Sequence, residues 1–218
     1  MHYELHDPDV RLMLQVRDGD AAAFEELVLR YQSRLLTVLE HLVGNRELAE
    51  DLAQEVFLRV FRARKRYEPG AKFSTWLFTI ANNVASNARR SKSRRKEVGV
   101  PERNGSDSGP IGIDQIAKAA SGLMPARQLD KSESAQMVRL AVESLGERQR
   151  MALLLSKFEG MSYQDIAETM GLSVQAIKSL LSRARVNLKE ILSPYVDAGT
   201  RPAQAAVPHG NGDGELDD

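Results

Sequence analysis

The sequence predicts an all-α protein built as two small helical domains joined by a long flexible linker. Three observations carry that prediction. Over residues 21–43 apolar side chains return every third or fourth position for about six turns, the period of a helix with one buried face. Residues 161–192 repeat that period in two shorter runs that meet across a glycine. Between these regions, residues 91–131 carry Pro101, Pro110 and Pro125 among several Gly and Ser, with at most a helical turn or two around 113–120. A chain of 218 residues favours two such domains over one.

The first domain, 1–95, opens with a short, weak helix at 9–16 that ends near Gly19. Its core helix, 21–43, carries Phe24, Leu27, Val28, Tyr31, Leu35, Val38, Leu39 and Leu42 inward, and Gly44 closes it. Asn45 caps a third helix reaching about Arg66, with Leu48, Ala49, Leu52, Val56 and Val60 as its buried stripe. The opposite face holds Glu47, Asp51 and Gln54, with Glu55 at the margin and Leu58 in the middle. An acidic face is usually only solvated, but an apolar side chain ringed by acids points to a protein contact. Pro69 and Gly70 break the chain, and Ser74 caps a fourth helix with Phe73 and Phe78 placed as a hydrophobic staple.

On that fourth helix Leu77, Ile80, Ala81, Val84 and Ala88 form the core stripe. About a quarter turn away, Trp76, Asn83, Asn87, Arg90 and Arg94 line up along one side. An aromatic platform, two amides and then cations on one face suits single-stranded DNA, which needs stacking, base-edge hydrogen bonds and phosphate neutralisation. Taken alone, Trp76 would more ordinarily be a core residue.

After a linker at 96–131, the second domain occupies 132–194. Met137, Leu140, Ala141 and Ser144 give one helix; Met151, Leu154, Leu155 and Phe158 give the next, which ends at Gly160. These two pack under a helix-turn-helix and close a four-helix unit. In that motif Ser162 caps a helix bearing Tyr163, Ile166, Ala167 and Met170, with Asp165 placed for a capping box. Gly171 makes the turn, and Ser173 caps a second helix with Val174, Ile177, Leu181, Ala184, Leu188 and Ile191 inward. Gln175, Ser179, Ser182 and Val186 fall on its outward line, flanked by Lys178 and Arg183. A DNA major groove is about 12 Å wide and walled by phosphates, so small polar groups between two cations suit a helix that lies in it. An amphipathic hairpin with a solvated basic face would show a similar pattern.

Composition excludes several classes. Cysteine is absent, which removes disulfides, thiol nucleophiles and cysteine zinc sites together. The four histidines, His2, His6, His41 and His209, are scattered, and His41 reads as a surface residue. No nucleophile–base pair and no phosphate-cradling glycine loop stands out, so no catalytic site, metal site or cofactor is expected. No run of 18 apolar residues could span a membrane and no secretory signal opens the chain, so membrane insertion is not expected and a cytoplasmic location is. The formal net charge of zero conceals segregation. Residues 59–103 hold thirteen Lys and Arg against three Glu, a balance of +10, whereas 195–218 holds five acids and one Arg, a balance of −4. A local basic field binds phosphate whatever the total charge. The Pro, Gly, Ala and acid content of the tail beyond Pro194 predicts disorder.

Residues 50–61 (EDLAQEVFLRVF), 72–77 (KFSTWL), 161–167 (MSYQDIA) and 177–185 (IKSLLSRAR), in this order and spacing, resemble a bacterial extracytoplasmic-function sigma factor of RNA polymerase. The resemblance spans roughly residues 10–95 and 132–192. It implies that the first domain is a region 2-like bundle and the second a region 4-like helix-turn-helix domain. It further implies a non-enzymatic subunit that binds core RNA polymerase, directs it to promoters and promotes DNA melting, usually under an anti-sigma factor. By this resemblance Asp51, Gln54 and Glu55, with Leu58 among them, dock on the β′ coiled coil, and the second domain meets the β flap. The 67–73 loop, including Tyr67, Lys72 and Phe73, corresponds to the segment that captures an unstacked base of the −10 element, and Asn83 and Asn87 match helix positions that help hold that strand, joined here by Trp76 and Arg90 from the face pattern. Lys178, Ser179, Ser182 and Arg183 match positions that meet the −35 element, joined here by Tyr163 and Gln175.

Two positions depart from the family pattern. Leu180 stands where many members have Arg, and Gly146 replaces a frequent Pro before Glu147. As a coil the linker would average about 35 Å end to end, and extended it could exceed 100 Å. Promoter elements one and a half to two DNA turns apart lie roughly 50–70 Å from each other. Two other readings use parts of the same pattern. A conventional helix-turn-helix regulator would bind duplex operator without polymerase, and a polymerase adaptor would keep the acidic face and ignore DNA.

Overall fold

A computed structural model describes residues 7–97 and 131–200. The linker proper, with the turn expected near 113–120, and the tail from 201 lie outside the described residues. Eight α-helices and one 3-10 turn make up the described chain: α1 Pro8–Asp18, α2 Ala21–Val43, α3 Arg46–Ala63, the turn Arg64–Arg66, α4 Phe73–Glu97, α5 Lys131–Ser144, α6 Glu147–Lys157, α7 Tyr163–Met170 and α8 Val174–Thr200.

Local chemistry sets most boundaries. Asp7 accepts from the Asp9 N–H at 2.9 Å ahead of Pro8, a residue suited to a first turn because its missing N–H is not needed there. Asp20 accepts from Ala22 and Ala23 at 2.8 and 3.1 Å, and α2 ends at Gly44 with φ 71°. Asn45 Oδ1 accepts from Leu48 N–H at 2.7 Å and starts α3. In the first bundle Leu27, Tyr31, Leu35, Val38 and Leu39 of α2 meet Ala49, Val56 and Val60 of α3 and Leu77, Phe78 and Ala81 of α4, all buried. The helix-turn-helix shows the expected capping box. Ser162 Oγ accepts from Asp165 N–H at 3.1 Å while Asp165 Oδ2 accepts from Ser162 N–H at 3.2 Å. Gly171 takes φ 62°, and Ser173 Oγ accepts from Ala176 N–H at 3.2 Å. Ser162→Ala is expected to cost about 1 kcal/mol, read as a thermal midpoint lower by roughly 4–8 °C. An unchanged melt would mean that packing alone holds α7.

The boundaries of α4 and α8 differ from the sequence expectation. Helix α4 begins at Phe73, one residue before the expected Ser74 cap, because the Lys72 carbonyl already accepts from Trp76 N–H at 3.3 Å. It also runs to Glu97, beyond Ser91 where the structureless segment was expected to start. Helix α8 passes through Pro194 to Thr200 instead of stopping there. Proline supplies no N–H to the Glu190 carbonyl four residues back, and the Ser193 hydroxyl donates to that carbonyl instead, at 3.4 Å. Gly146, at the start of α6, has φ −56°, an angle that proline would share.

The two helical units also touch. Their buried side chains form one contiguous cluster, with α4 packed on α7 and α2 on α5 and α6. His41, expected at the surface, is therefore half-buried. Its ring lies 5.7 Å from that of Phe158, and its Nδ1 is buried without a hydrogen-bond partner. Burial, then the neighbouring Arg139, holds its pKa below the ordinary histidine value.

Candidate nucleic-acid interface

Burial of Ile177, Leu181 and Ala184 fixes the rotation of α8, so Gln175, Lys178, Ser179, Ser182 and Arg183 are all exposed on its outer side. Ser179 Oγ donates to the Gln175 carbonyl at 3.1 Å, which leaves its lone pairs outward. Tyr163 stands beside this face at 36% exposure, and Arg185 donates to its hydroxyl at 3.5 Å, lowering the phenol pKa. Leu180, the departure noted above, is half-buried against the core and does not join the outer line.

The α4 surface divides. Asn83, Asn87 and Arg90 are exposed, and the Arg90 guanidinium lies back along the helix, donating to the Ser86 carbonyl at 3.3 Å. Lys72 is also exposed, and its ammonium donates to Asp165 Oδ2 at 3.1 Å. Burial alone would push the Asp165 carboxyl up, but hydrogen bonds from Ser162 and Lys72 outweigh it and hold the group below its ordinary value.

Tyr67 and Phe73, at the two ends of the loop expected to capture an unstacked base, both turn inward. Tyr67 is 3% exposed and Phe73 is fully buried. Phe73 meets Tyr31 edge-on at 5.2 Å, and Trp76, half-buried, packs against Tyr67 at 4.9 Å and Phe73 at 6.1 Å. Large aromatic rings at the start of α4 close the end of the first bundle, where the area they remove from water outweighs exposure on a loop. The Tyr67 hydroxyl is buried without a partner, and burial pushes its pKa up.

On α3, Asp51 and Gln54 are exposed, Glu55 is half-buried beside Arg59 at 2.7 Å, and Leu58 is 49% exposed. Sequence reasoning missed Phe61, 39% exposed one turn beyond Leu58. The i, i+3 spacing of two apolar residues off the buried stripe was the available signal. Phe61 packs on Phe24 at 5.1 Å and lies under the Arg64 guanidinium at 3.9 Å. Also missed was Arg150, a cation inside the apolar run of α6 and only 9% exposed.

A cleft of about 660 Å³ separates α4 from the second unit, with Asn83, Ser86 and Arg90 on one wall and Glu147, Arg148 and Leu172 on the other. Among the described residues no group of three His, Asp or Glu is placed to hold a metal ion. Nor is any described helix long and apolar enough to cross a membrane.

An exposed α8 face behind a glycine turn thus follows a bundle whose last helix exposes amides and cations. Residues 27–95 match the Sigma-70 region 2 family and residues 135–188 match Sigma-70, region 4. The chain is 33% identical over 190 residues to the RNA polymerase sigma-H factor of Pseudomonas aeruginosa, covering 87% of this chain and 96% of that one. It is 31% identical over 191 residues to the ECF RNA polymerase sigma-E factor of Escherichia coli, covering 86% and 96%. Among solved structures, the sigma factor RpoE of Bartonella quintana, in complex with the anti-sigma factor NepR, is 27% identical with a TM-score of 0.59 over 78% of this chain and 96% of that one. The chain belongs to the extracytoplasmic-function sigma factors, which are transcription initiation factors and not themselves enzymes.

Proposed function

We propose that this sigma factor binds core RNA polymerase through the acidic face of α3, reads the −35 duplex with α8, and holds the melted −10 strand on the exposed side of α4. The observation that carries the reading is the exposure, on one chain, of three chemically distinct surfaces at the family's positions. These are Asp51, Gln54 and Leu58; Lys72, Asn83, Asn87 and Arg90; and Gln175, Lys178, Ser182 and Arg183. Binding energy for an unstacked base drives opening without nucleotide hydrolysis. The second unit meets the β flap, α3 the β′ coiled coil, and the site of action is the cytoplasm. An anti-sigma factor controls access, as the complex formed by the Bartonella relative suggests.

Reconstitution tests this reading. Core polymerase, the chain and a promoter library should yield new start sites; a conventional regulator would give none, and an adaptor would give none and leave DNA unbound. Leu58→Asp places a charge inside the apolar docking patch and is expected to weaken core binding by about 2 kcal/mol, roughly 30-fold, with no change in the melt. Unchanged core affinity, measured by titration with labelled chain, would remove α3 from the docking surface.

A further inference from the structure

We infer that the cleft between α4 and the second unit is a binding site for a nucleoside polyphosphate. Its volume, about 660 Å³, lies within the roughly 300–1,000 Å³ of small-molecule sites. Hydrogen bonds tie the elements that wall it. Thr169 of α7 donates to the Thr75 carbonyl of α4 at 3.5 Å. From α6, the buried Arg150 guanidinium donates to Glu143 and to Leu145 at 3.0 Å, at the end of α5, and to His41 at 3.1 Å and Leu42 at 3.5 Å, at the end of α2. A cavity with walls held in this way needs little ordering when a ligand enters.

Charge selects the ligand. Arg89 and Arg90 of α4 and Arg148 of α6 line the cleft, three guanidinium groups against the single carboxylate of Glu147, a balance of +2. Glu147 accepts from Ser86 Oγ at 3.3 Å and lies 3.5 Å from Arg89 Nη1. That nitrogen is nevertheless buried without a hydrogen-bond partner, a cost that an added acceptor oxygen would remove. Arg90 and Arg148 are exposed and, among the described residues, in no ion pair. Helix α6 adds to the field. Gly146 offers it no side-chain cap, so the first-turn N–H groups beside Glu147 and Arg148 keep the positive end of the helix dipole unanswered. Guanidinium forks and free N–H groups together suit phosphate oxygens.

The rest of the lining suits a base. Met151, Met170 and Leu172 give the second unit's wall an adaptable apolar surface against which a flat ring can lie. Asn82 and Asn83 stand on the α4 wall, and each carries a donor and an acceptor for a base edge. Inorganic phosphate would leave the apolar surface unused, and a DNA strand held on α4 would use one wall only. Because Asn83 and Arg90 serve both, the nucleotide competes with the melted strand, a consequence that rests on the assignment of α4 above.

The test uses the full chain and, as probe, GTP carrying a methylanthraniloyl group on its ribose. Anisotropy without polymerase is expected to give saturable binding with a dissociation constant on the order of 10–100 µM. Arg148→Glu, outside the promoter surfaces assigned above, is expected to weaken binding about 10-fold or more with its melt preserved. It should also leave promoter opening by holoenzyme, read with permanganate in the absence of nucleotide, at the parent level. Unlabelled ATP or GTP should displace the probe about 10-fold better than inorganic tripolyphosphate. Three results would each overturn the inference: no saturable binding up to about 1 mM, equal displacement by tripolyphosphate, or affinity indifferent to Arg148→Glu. A −10 strand from a promoter found by reconstitution should displace the probe as well. Arg148-dependent binding that such a strand cannot displace, or that occurs in a chain that never directs initiation, overturns the functional assignment and leaves the nucleotide site standing.

Discussion

Phe73→Ala is expected to destabilise the protein by about 3–5 kcal/mol, because it empties a buried site between Tyr31 and Trp76. For a unit of this size that loss lowers the thermal midpoint on the order of 15–30 °C, enough to unfold a marginal domain at growth temperature. The comparison that gives this meaning is Asn83→Ala with Asn87→Ala. Both amides are exposed, so the double variant should melt within about 0.5 kcal/mol of the parent and lose promoter opening instead. Circular dichroism melts and permanganate footprinting of the −10 region separate the two effects. A Phe73→Ala protein that melts normally yet fails to open promoters would show the ring leaving the core to hold a base.

Lys178→Ala with Arg183→Ala should have the next largest effect. Both cations are exposed and flank the small polar line of α8. If each neutralises one phosphate, the double variant lowers the slope of log affinity against log salt by about 1.8, and the loss at 50 mM salt is on the order of 100-fold, shrinking as salt rises. The effect should be uniform across sequences, since phosphates position and bases specify. Lys189→Ala, exposed farther along the same helix, serves as control and is expected to be neutral. A salt slope unmoved by the double variant, measured by anisotropy on a −35 duplex with holoenzyme, would place the groove contact on another face.

Much of this architecture is legible locally. Helix α2 occupies residues 21–43 as read, because Asp20 and Gly44 chemically close its two ends. The helix-turn-helix follows from Ser162, Asp165, Gly171 and Ser173, each satisfying a backbone requirement within four residues. The outward line of α8 follows from the same period, since fixing its buried stripe fixes the rest. What could not be read depends on partners far along the chain. The staple of Phe73 is legible locally, but the edge-on contact that Tyr31 makes with it from far back in the chain, and the contact of Tyr67 with Trp76, are not encoded by any helical spacing. Arg150 looks like a misplaced cation in an apolar run until α2 brings the His41 and Leu42 carbonyls to it across more than a hundred residues. Helix α8 continues past Pro194 because a serine hydroxyl serves the stranded carbonyl, a compensation that helix propensity does not register.

The fourfold coordination of Arg150 has a consequence for kinetics. Were α2 to withdraw, that guanidinium would forfeit the His41 and Leu42 carbonyls at one stroke, and water would have to replace them at a site now only 9% exposed. Intermediate separations gain neither the old partners nor full hydration. Separation of the two units is therefore expected to be cooperative, with a barrier, and not a gradual slide.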